Sequence, residues 1–246
     1  MTHTGAKYLF ISDLHLEAAA PQAIDALVGL LEGEAREAAA LYILGDLFES
    51  WVGDDDPDPA RDRVCRAIAA LSATGVPVFV MHGNRDFLYG AGFETRTGAQ
   101  VLPDPCVATL FGRRVLLTHG DLLCTGDAAY QELRSTVRAA SFRERVLALP
   151  LAARQTLADA ARAGSKAHVA AQRAEIMDVT PEAVVAAFRA TGTRVMVHGH
   201  THRPAEHTHV VDGEQALRVV LDAWYEGGSV LTLAASGFAR RAIPFA

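Results

Sequence analysis

Apolar and polar positions along this chain follow two rhythms. Short continuous apolar runs at 7–12, 41–44 and 76–81 predict strands covered on both faces. Between the first two runs, Ile24, Leu27, Val28, Leu30 and Leu31 recur at helical spacing. A helix from about Pro59 to Ser72 places Val64, Ile68 and Leu71 on one face. This alternation is the signature of βαβ units and a largely parallel sheet. After Gly98 the rhythm changes. Residues 107–110, the turn Phe111-Gly112-Arg113 and residues 114–118 read as a hairpin, while 216–221 and 229–234 read as strands flanking Gly227-Gly228. Two mixed sheets packed face to face, with helices outside, account for both halves.

Residues 127–178 break this pattern. They carry no strand signal, only Ala-rich helical segments marked by Tyr130, Leu133 and Val137, then Val146, Leu147 and Leu149, then Leu157. Pro150 and Gly164-Ser165 punctuate them. The stretch predicts a helical insertion, or lid, set into a core formed by 1–126 and 179–246. Its apolar residues would equally suit an ordinary core. Between 130 and 175 there are eight Lys or Arg against four acids, a local excess of +4 inside a chain of net charge −6.

That overall charge argues against nucleic acid as a partner. The three cysteines, Cys65, Cys106 and Cys124, are far apart and odd in number, which fits a reducing compartment better than a disulfide framework. No leader is expected ahead of the first strand, and the apolar runs fall short of the ~20 residues a membrane span needs. These features predict a cytoplasmic protein, with attachment to a membrane surface left open.

Chemistry concentrates at the ends of the apolar runs. Val197-His198-Gly199-His200-Thr201-His202 follows one of them, and neutral imidazole is the commonest metal ligand among side chains. Ser12-Asp13-Leu14-His15, Gly45-Asp46-Leu47-Phe48-Glu49, His82-Gly83-Asn84-Arg85-Asp86 and Thr118-His119-Gly120-Asp121 occupy equivalent places. Any one fragment reads as a turn with a satisfied polar group. Five together read as a metal site, and two divalent ions are expected. Asp46, alone at its strand tip, is the natural bridging carboxylate. Asp13 and His15, two residues apart, can reach one ion; Asn84, His119, His200 and His202 complete the set. Imidazole, carboxylate and amide donors suit manganese, iron or zinc, with manganese the foremost expectation. Arg85 is expected to face a phosphate, because a guanidinium forks onto two oxygens. Asp86 and Asp121 are expected to orient histidines, and Asp54-Asp55-Asp56 to be a solvated loop.

In order, these fragments match D-x-H, GD, GN-H/R-D, H-G and G-H-x-H, and by them the chain resembles the calcineurin-like metallophosphoesterases. The resemblance implies a four-layer αββα sandwich with a dinuclear centre. It assigns Asp13, His15, Asp46 and His202 to one ion and Asp46, Asn84, His119 and His200 to the other, and leaves His198 as a structural imidazole. Residues 42–49, 51–57 and 82–88, the segments around His119 and Ile176-Met177-Asp178-Val179, and 198–205 are similar to the UDP-2,3-diacylglucosamine pyrophosphatase family of lipid A biosynthesis.

That similarity implies a hydrolase that cleaves a pyrophosphate bond by two-metal activation of water, giving UMP and 2,3-diacylglucosamine 1-phosphate. Asp46, Asn84, Arg85, His119 and His200 are its expected catalytic residues. Asn84, Arg85, Asp127, Ser165, Gln172 and His200 are expected to contact the substrate, with the insertion forming the acyl pocket. The chain departs from the family at Val169 and Gln172, where an Asn and a Lys are usual, and Arg173 and Lys166 are candidates for the missing cation. The implied substrate is a nucleotide-sugar glycolipid; the apolar helix faces and basic excess of the insertion predict peripheral attachment to the anionic cytoplasmic face of the inner membrane, and no obligate protein partner is expected. A phosphodiesterase or phosphatase for a soluble nucleotide, or a metal-free binding scaffold, are the rival readings.

Overall fold

The structure, a computed structural model, describes residues 7–171 and 178–245, with side chains described outside 166–171. Among the described residues, eleven strands and seven α-helices are arranged in four layers. The first sheet is built from β1 (Tyr8–Ile11), β2 (Ala40–Ile43), β3 (Val78–Met81) and β4 (Gln100–Leu102), all parallel. It is extended by β10 (Gly228–Ala234) and β11 (Gly237–Ile243) in the order β11-β10-β1-β2-β3-β4, each new pair antiparallel. The second sheet, β5-β6-β7-β9-β8, holds β5 (Cys106–Leu110), β6 (Arg113–Leu117), β7 (Val195–His198), β8 (Ala205–Val211) and β9 (Glu214–Val220).

Strand alternation sorts each run between two cores. Leu9, Ile11, Leu41, Ile43 and Val80 point outward to α1 (Pro21–Glu32), α2 (Pro59–Ser72) and α3 (Ala91–Thr97), meeting Leu27, Ile68 and Phe93. Phe10, Tyr42, Leu44 and Met81 point the other way and pack between the sheets against Val115, Leu117, Val197 and Val219. A third cluster, with Leu116 and Met196, covers the far face of the second sheet through Val184 and Phe188 of α7 (Pro181–Thr191). The predicted αββα sandwich is therefore present. The Gly227-Gly228 pair marks the place where the chain leaves the second sheet for the first. Strands β4, β8 and β11 and helices α3 and α7 have no counterpart among the sequence expectations.

Between β6 and α7 lie α4 (Ala128–Arg138), α5 (Ala140–Leu147) and α6 (Leu151–Ala171). Neither α4 nor α5 buries a residue fully, and Leu133, Leu147, Leu149 and Leu157 remain exposed. These helices are fastened by their arginines. Arg154 is buried and donates to Leu149 O (3.0 Å) and Asp55 Oδ1 (2.7 Å). Arg134 reaches Asp104 (3.1 Å) and Asp121 (2.9 Å), Arg138 the His82 carbonyl (3.1 Å), Arg143 the Tyr89 carbonyl (2.8 Å), and Arg162 Glu17 (3.6 Å). Among the described residues, five arginines of the insertion are thus engaged by carboxylates or carbonyls outside it.

The Asp54-Asp55-Asp56 run is consequently not a solvated loop. Asp54 accepts from the Trp51 indole (3.1 Å) and the Gly90 N–H (3.2 Å), and Asp56 is buried against Arg61. Only the Asp55 side chain stays mostly exposed, and it holds Arg154. Among the described residues no helix is long and apolar enough to cross a membrane.

Candidate metal centre

Parallel strands bring their carboxyl ends to one edge, where open α/β sheets place their ligands. Here β1, β2 and β3 of one sheet and β6 and β7 of the other end together, each followed within a few residues by Asp13, Asp46, Asn84, His119 or His200. The ladder continues past the strands: Asp13 N–H donates to Gly45 O (3.1 Å), His15 N–H to Asp46 O (3.0 Å) and Gly199 N–H to His119 O (2.9 Å).

The backbone is bent to aim these side chains. Asp13 (φ 55°), His15 (48°), Asp46 (51°), His200 (67°) and His202 (54°) all lie in the left-handed region. Each such residue costs about 1–3 kcal/mol and persists only where its surroundings over-determine it. Asp and His tolerate this region better than most residues. Glycine makes the approach possible: a Cβ on Gly83 would collide with Asp46 Oδ1, and one on Gly199 with Asp13 Oδ2.

All seven residues expected as ligands come together. Donor atoms of Asp13, His15 and His202 lie within 4.8 Å of one another, as do those of Asp13, Asp46 and His119. Asp46 Oδ2 stands 3.8 Å from both His15 Nε2 and His119 Nε2, the central place expected of a bridging carboxylate. Asn84 Oδ1 lies 3.1 Å from His119 Nε2 and 3.1 Å from His200 Nδ1. His202 Nε2 is 3.2 Å from Asp13 Oδ1.

The electrostatics call for a cation. Burial opposes a charge on His119, yet Asp46 and Asp13 outweigh it and lift its pKa to about 9. Burial likewise opposes a charge on His15, and Glu49 and Asp46 still raise it. For Asp13, burial favours the neutral acid, but the His202 hydrogen bond and the charge on His119 hold it well below the carboxylate range. His200 goes the other way, pushed down to about 4 by burial and by His119. Without a metal, the carboxylates draw protons onto imidazoles; a divalent cation supplies the same balance. Among the described residues both ring nitrogens of His15 are buried without a hydrogen bond of good geometry, Nδ1 having only the Glu49 carboxylate at ion-pair distance (3.1 Å), so Nε2 is left for a cation. The donor set fits divalent metal.

The groups around the cluster differ from expectation in part. His198 is structural, as expected: its Nδ1–H donates to Gly199 O (2.8 Å) and its Nε2 accepts from Arg218 (3.0 Å). Among the described residues, neither Asp86 nor Asp121 hydrogen-bonds a histidine ring. Asp86 accepts N–H bonds from Asp46 (3.2 Å), Phe48 (3.2 Å) and Gly83 (2.8 Å), so it shapes two ligand loops. Asp121 instead anchors Tyr130 (3.0 Å) and Arg134 (2.9 Å). The histidine carrying an adjacent carboxylate is His15, whose Nδ1 lies 3.1 Å from Glu49. Glu49 sits inside the Gly45–Glu49 fragment, so its signal is visible in sequence. Tyr225, 3.2 Å from His202 Nδ1, carries no such signal.

The expected substrate contacts fall into three groups. Arg85 is tied to the cluster, its backbone N–H donating to Asp46 Oδ1 (2.8 Å) and its guanidinium reaching Ser165 Oγ on α6 (3.4 Å). Its buried Nε has no partner among the described residues. Asp127 caps α4 by accepting the Tyr130 N–H (3.0 Å), and the Tyr130 ring stacks on His200 at 5.8 Å. Gln172 lies outside the described residues, as does Arg173; the side chains of Lys166 and Val169 are likewise outside them.

Such a centre at the strand ends of an αββα sandwich defines a metal-dependent phosphoesterase. The calcineurin-like phosphoesterase model matches residues 6–204, and the chain belongs to that family of metal-dependent hydrolases. A relative from Stenotrophomonas maltophilia (strain K279a), named UDP-2,3-diacylglucosamine hydrolase, is 48% identical over 94% of this chain and 96% of its own. Proteins of the same name from Aeromonas hydrophila subsp. hydrophila (52% identical, 91% of this chain and 92% of that one) and Xanthomonas campestris pv. campestris (49%, 94% and 96%) are similar to it as well.

Proposed function

We propose that the chain hydrolyses the pyrophosphate bond of UDP-2,3-diacylglucosamine, releasing UMP and 2,3-diacylglucosamine 1-phosphate for lipid A biosynthesis. The observation that carries this reading is identity of about half the residues along nearly the full length of relatives bearing that name. Asp13, His15, Asp46 and His202 would hold one ion, and Asp46, Asn84, His119 and His200 a second; manganese suits these donors. Bound divalent ions supply Lewis-acid polarisation and acidify water.

The chain's own groups position the substrate. Arg85 offers a buried Nε–H without a partner among the described residues, fitted to a phosphoryl oxygen, and charge-assisted bonds of this kind are among the strongest available. Through Ser165, the same guanidinium links the insertion to the metal-site loop. Asn84 and His200 stand 3.1 Å apart, and Asp127, which caps α4, and Gln172 complete the expected contact set.

Residues 127–178 act as a lid over the acyl chains, with 1–126 and 179–246 as the catalytic core. The protein lies peripherally on the cytoplasmic face of the inner membrane. Exposed Leu133, Leu147, Leu149 and Leu157 support that placement better than the basic excess, much of which is engaged with the core. No nucleic acid or obligate protein partner is part of this reading. The test is incubation with UDP-2,3-diacylglucosamine and Mn²⁺ while following UMP. Release of UMP with the sugar 1-phosphate is expected; absence of release from metal-loaded, folded protein overturns the assignment.

A further inference from the structure

Two side chains outside the ligand set stand at the nitrogens of His15 and His202 that face away from the carboxylates: Glu49 at ion-pair distance from His15, and Tyr225 hydrogen-bonded to His202. His15 Nδ1 meets Glu49 Oε2 at 3.1 Å, while its Nε2 faces Asp46 Oδ2 at 3.8 Å. His202 Nδ1 lies 3.2 Å from the Tyr225 hydroxyl, while its Nε2 lies 3.2 Å from Asp13 Oδ1. The Tyr225 ring is also nearly parallel to His15, at 7° and a centroid separation of 5.7 Å. One phenol therefore touches both imidazoles. Its neighbour Trp224 donates its backbone N–H to Asp13 O (3.0 Å), which ties the clamp to a third ligand.

The opposite side of the cluster is held differently. His119 Nδ1–H donates to the Leu44 carbonyl at 2.9 Å, a neutral acceptor. His200 Nδ1 faces the Asn84 amide oxygen at 3.1 Å, and among the described residues no carboxylate hydrogen-bonds the His200 ring. A carboxylate on the distal nitrogen fixes the tautomer of a ligating imidazole and raises its basicity. Among the described residues, His15 alone of the four ligating histidines has one there, Glu49, and His202 has the Tyr225 phenol in the same place.

We propose that Glu49 and Tyr225 are positioning residues that make the site of Asp13, His15 and His202 the tighter of two divalent-cation sites, so that it fills first. This rests on the two-cation part of the proposed function. It does not rest on the identity of the substrate.

The test is calorimetric titration of the chelator-stripped, full-length chain with Mn²⁺, comparing wild type with Glu49→Gln, Glu49→Asp and Tyr225→Phe. Wild type should show two steps. Glu49→Gln should weaken the tighter step by about 10–100-fold, the scale for losing a partner of a ligating histidine. Tyr225→Phe keeps the ring and should weaken the same step by less, and Glu49→Asp should recover part of the affinity lost in Gln. The weaker step, and the thermal unfolding of the metal-free protein, should stay as in wild type. A single step, equal weakening of both steps, or metal-free unfolding lowered in parallel with affinity would overturn the proposal. Two normal steps in a protein that leaves UDP-2,3-diacylglucosamine intact would refute the proposed substrate and leave the order of filling standing.

Discussion

The backbone N–H of His200 donates to Asp13 Oδ2 across 2.9 Å, joining residues 187 apart in the chain. The bond spans the two sheets, since Asp13 follows β1 and His200 follows β7. It means that the Asp13 carboxylate both faces the cluster and fixes the loop that brings His200 and His202 to it. Side chains near the metal centre here serve the fold and the chemistry together, and that coupling shapes what substitutions should do.

Asp46→Asn should leave the fold intact, since the amide oxygen can still accept the Arg85 N–H that Asp46 Oδ1 holds at 2.8 Å. It removes the central negative charge, 3.8 Å from two imidazoles. Turnover should fall on the order of 10²–10³-fold, the scale for losing one preorganised electrostatic group. Metal content, measured by atomic emission, should fall with it. Near-normal turnover with full metal content would disprove the bridging role.

Arg85→Lys keeps the charge but loses the planar fork and the buried Nε–H that no described residue accepts. A point charge does not replace a bidentate guanidinium. The variant should bind Mn²⁺ as wild type does while kcat/KM falls by about 100-fold. Unchanged kcat/KM would remove Arg85 from the phosphate site.

The buried His198 should make stability pH-dependent. Burial and the neighbouring Arg218 charge push its pKa down to about 3, against 6.5 for an exposed histidine. Below pH 6.5 the unfolded chain takes up a proton that the folded chain refuses. Its stabilising effect is therefore full above pH 6.5 and is lost as pH falls toward 3, at up to about 1.4 kcal/mol per pH unit. Denaturant melts of the metal-free protein between pH 7 and 4 should show a steeper loss for wild type than for His198→Gln, which cannot titrate. Parallel slopes would contradict the assignment.

Arg154 is the fastener most easily tested. Arg154→Met preserves the apolar stem but leaves the Leu149 and Val52 carbonyls without the guanidinium that now serves them. Unfolding free energy should drop by about 1–3 kcal/mol for those lost buried hydrogen bonds. Limited proteolysis should then cut within 127–178 before anywhere else. Cleavage elsewhere first, or no change in stability, would show that the insertion is held by other contacts.

Exposed Leu133 and Leu157 offer a lipid-facing test. Changing both to Gln should leave metal binding and folding alone. It should raise KM for the diacylated substrate more than for its deacylated counterpart, because burial of apolar surface contributes about 25 cal/mol per Å². Equal effects on both substrates would place the acyl chains elsewhere.

What the sequence determined by itself was the inventory and its order. Uninterrupted apolar runs named the buried strands, because a strand covered on both faces has no polar side. The five fragments after those runs named all seven expected ligands, because a parallel sheet delivers every strand tip to one edge. Local pattern also bounded α2 at Pro59 and Ser72, where Asp58 accepts the Arg61 N–H and caps the helix.

Only the tertiary structure decided what those residues meet. Edge strands such as β8 and β11 expose polar side chains on one face and lack a continuous apolar run, so their pairing rests on partners distant in sequence. Charge counting could not tell a solvated arginine from Arg154 buried against Asp55, 99 residues away. The role of Tyr225 on His15 and His202 was equally hidden, because such contacts form only when loops from both sheets close over one point. Periodicity and spacing are local properties of a chain. Partner choice is set by packing, and packing brings together residues that no local window contains.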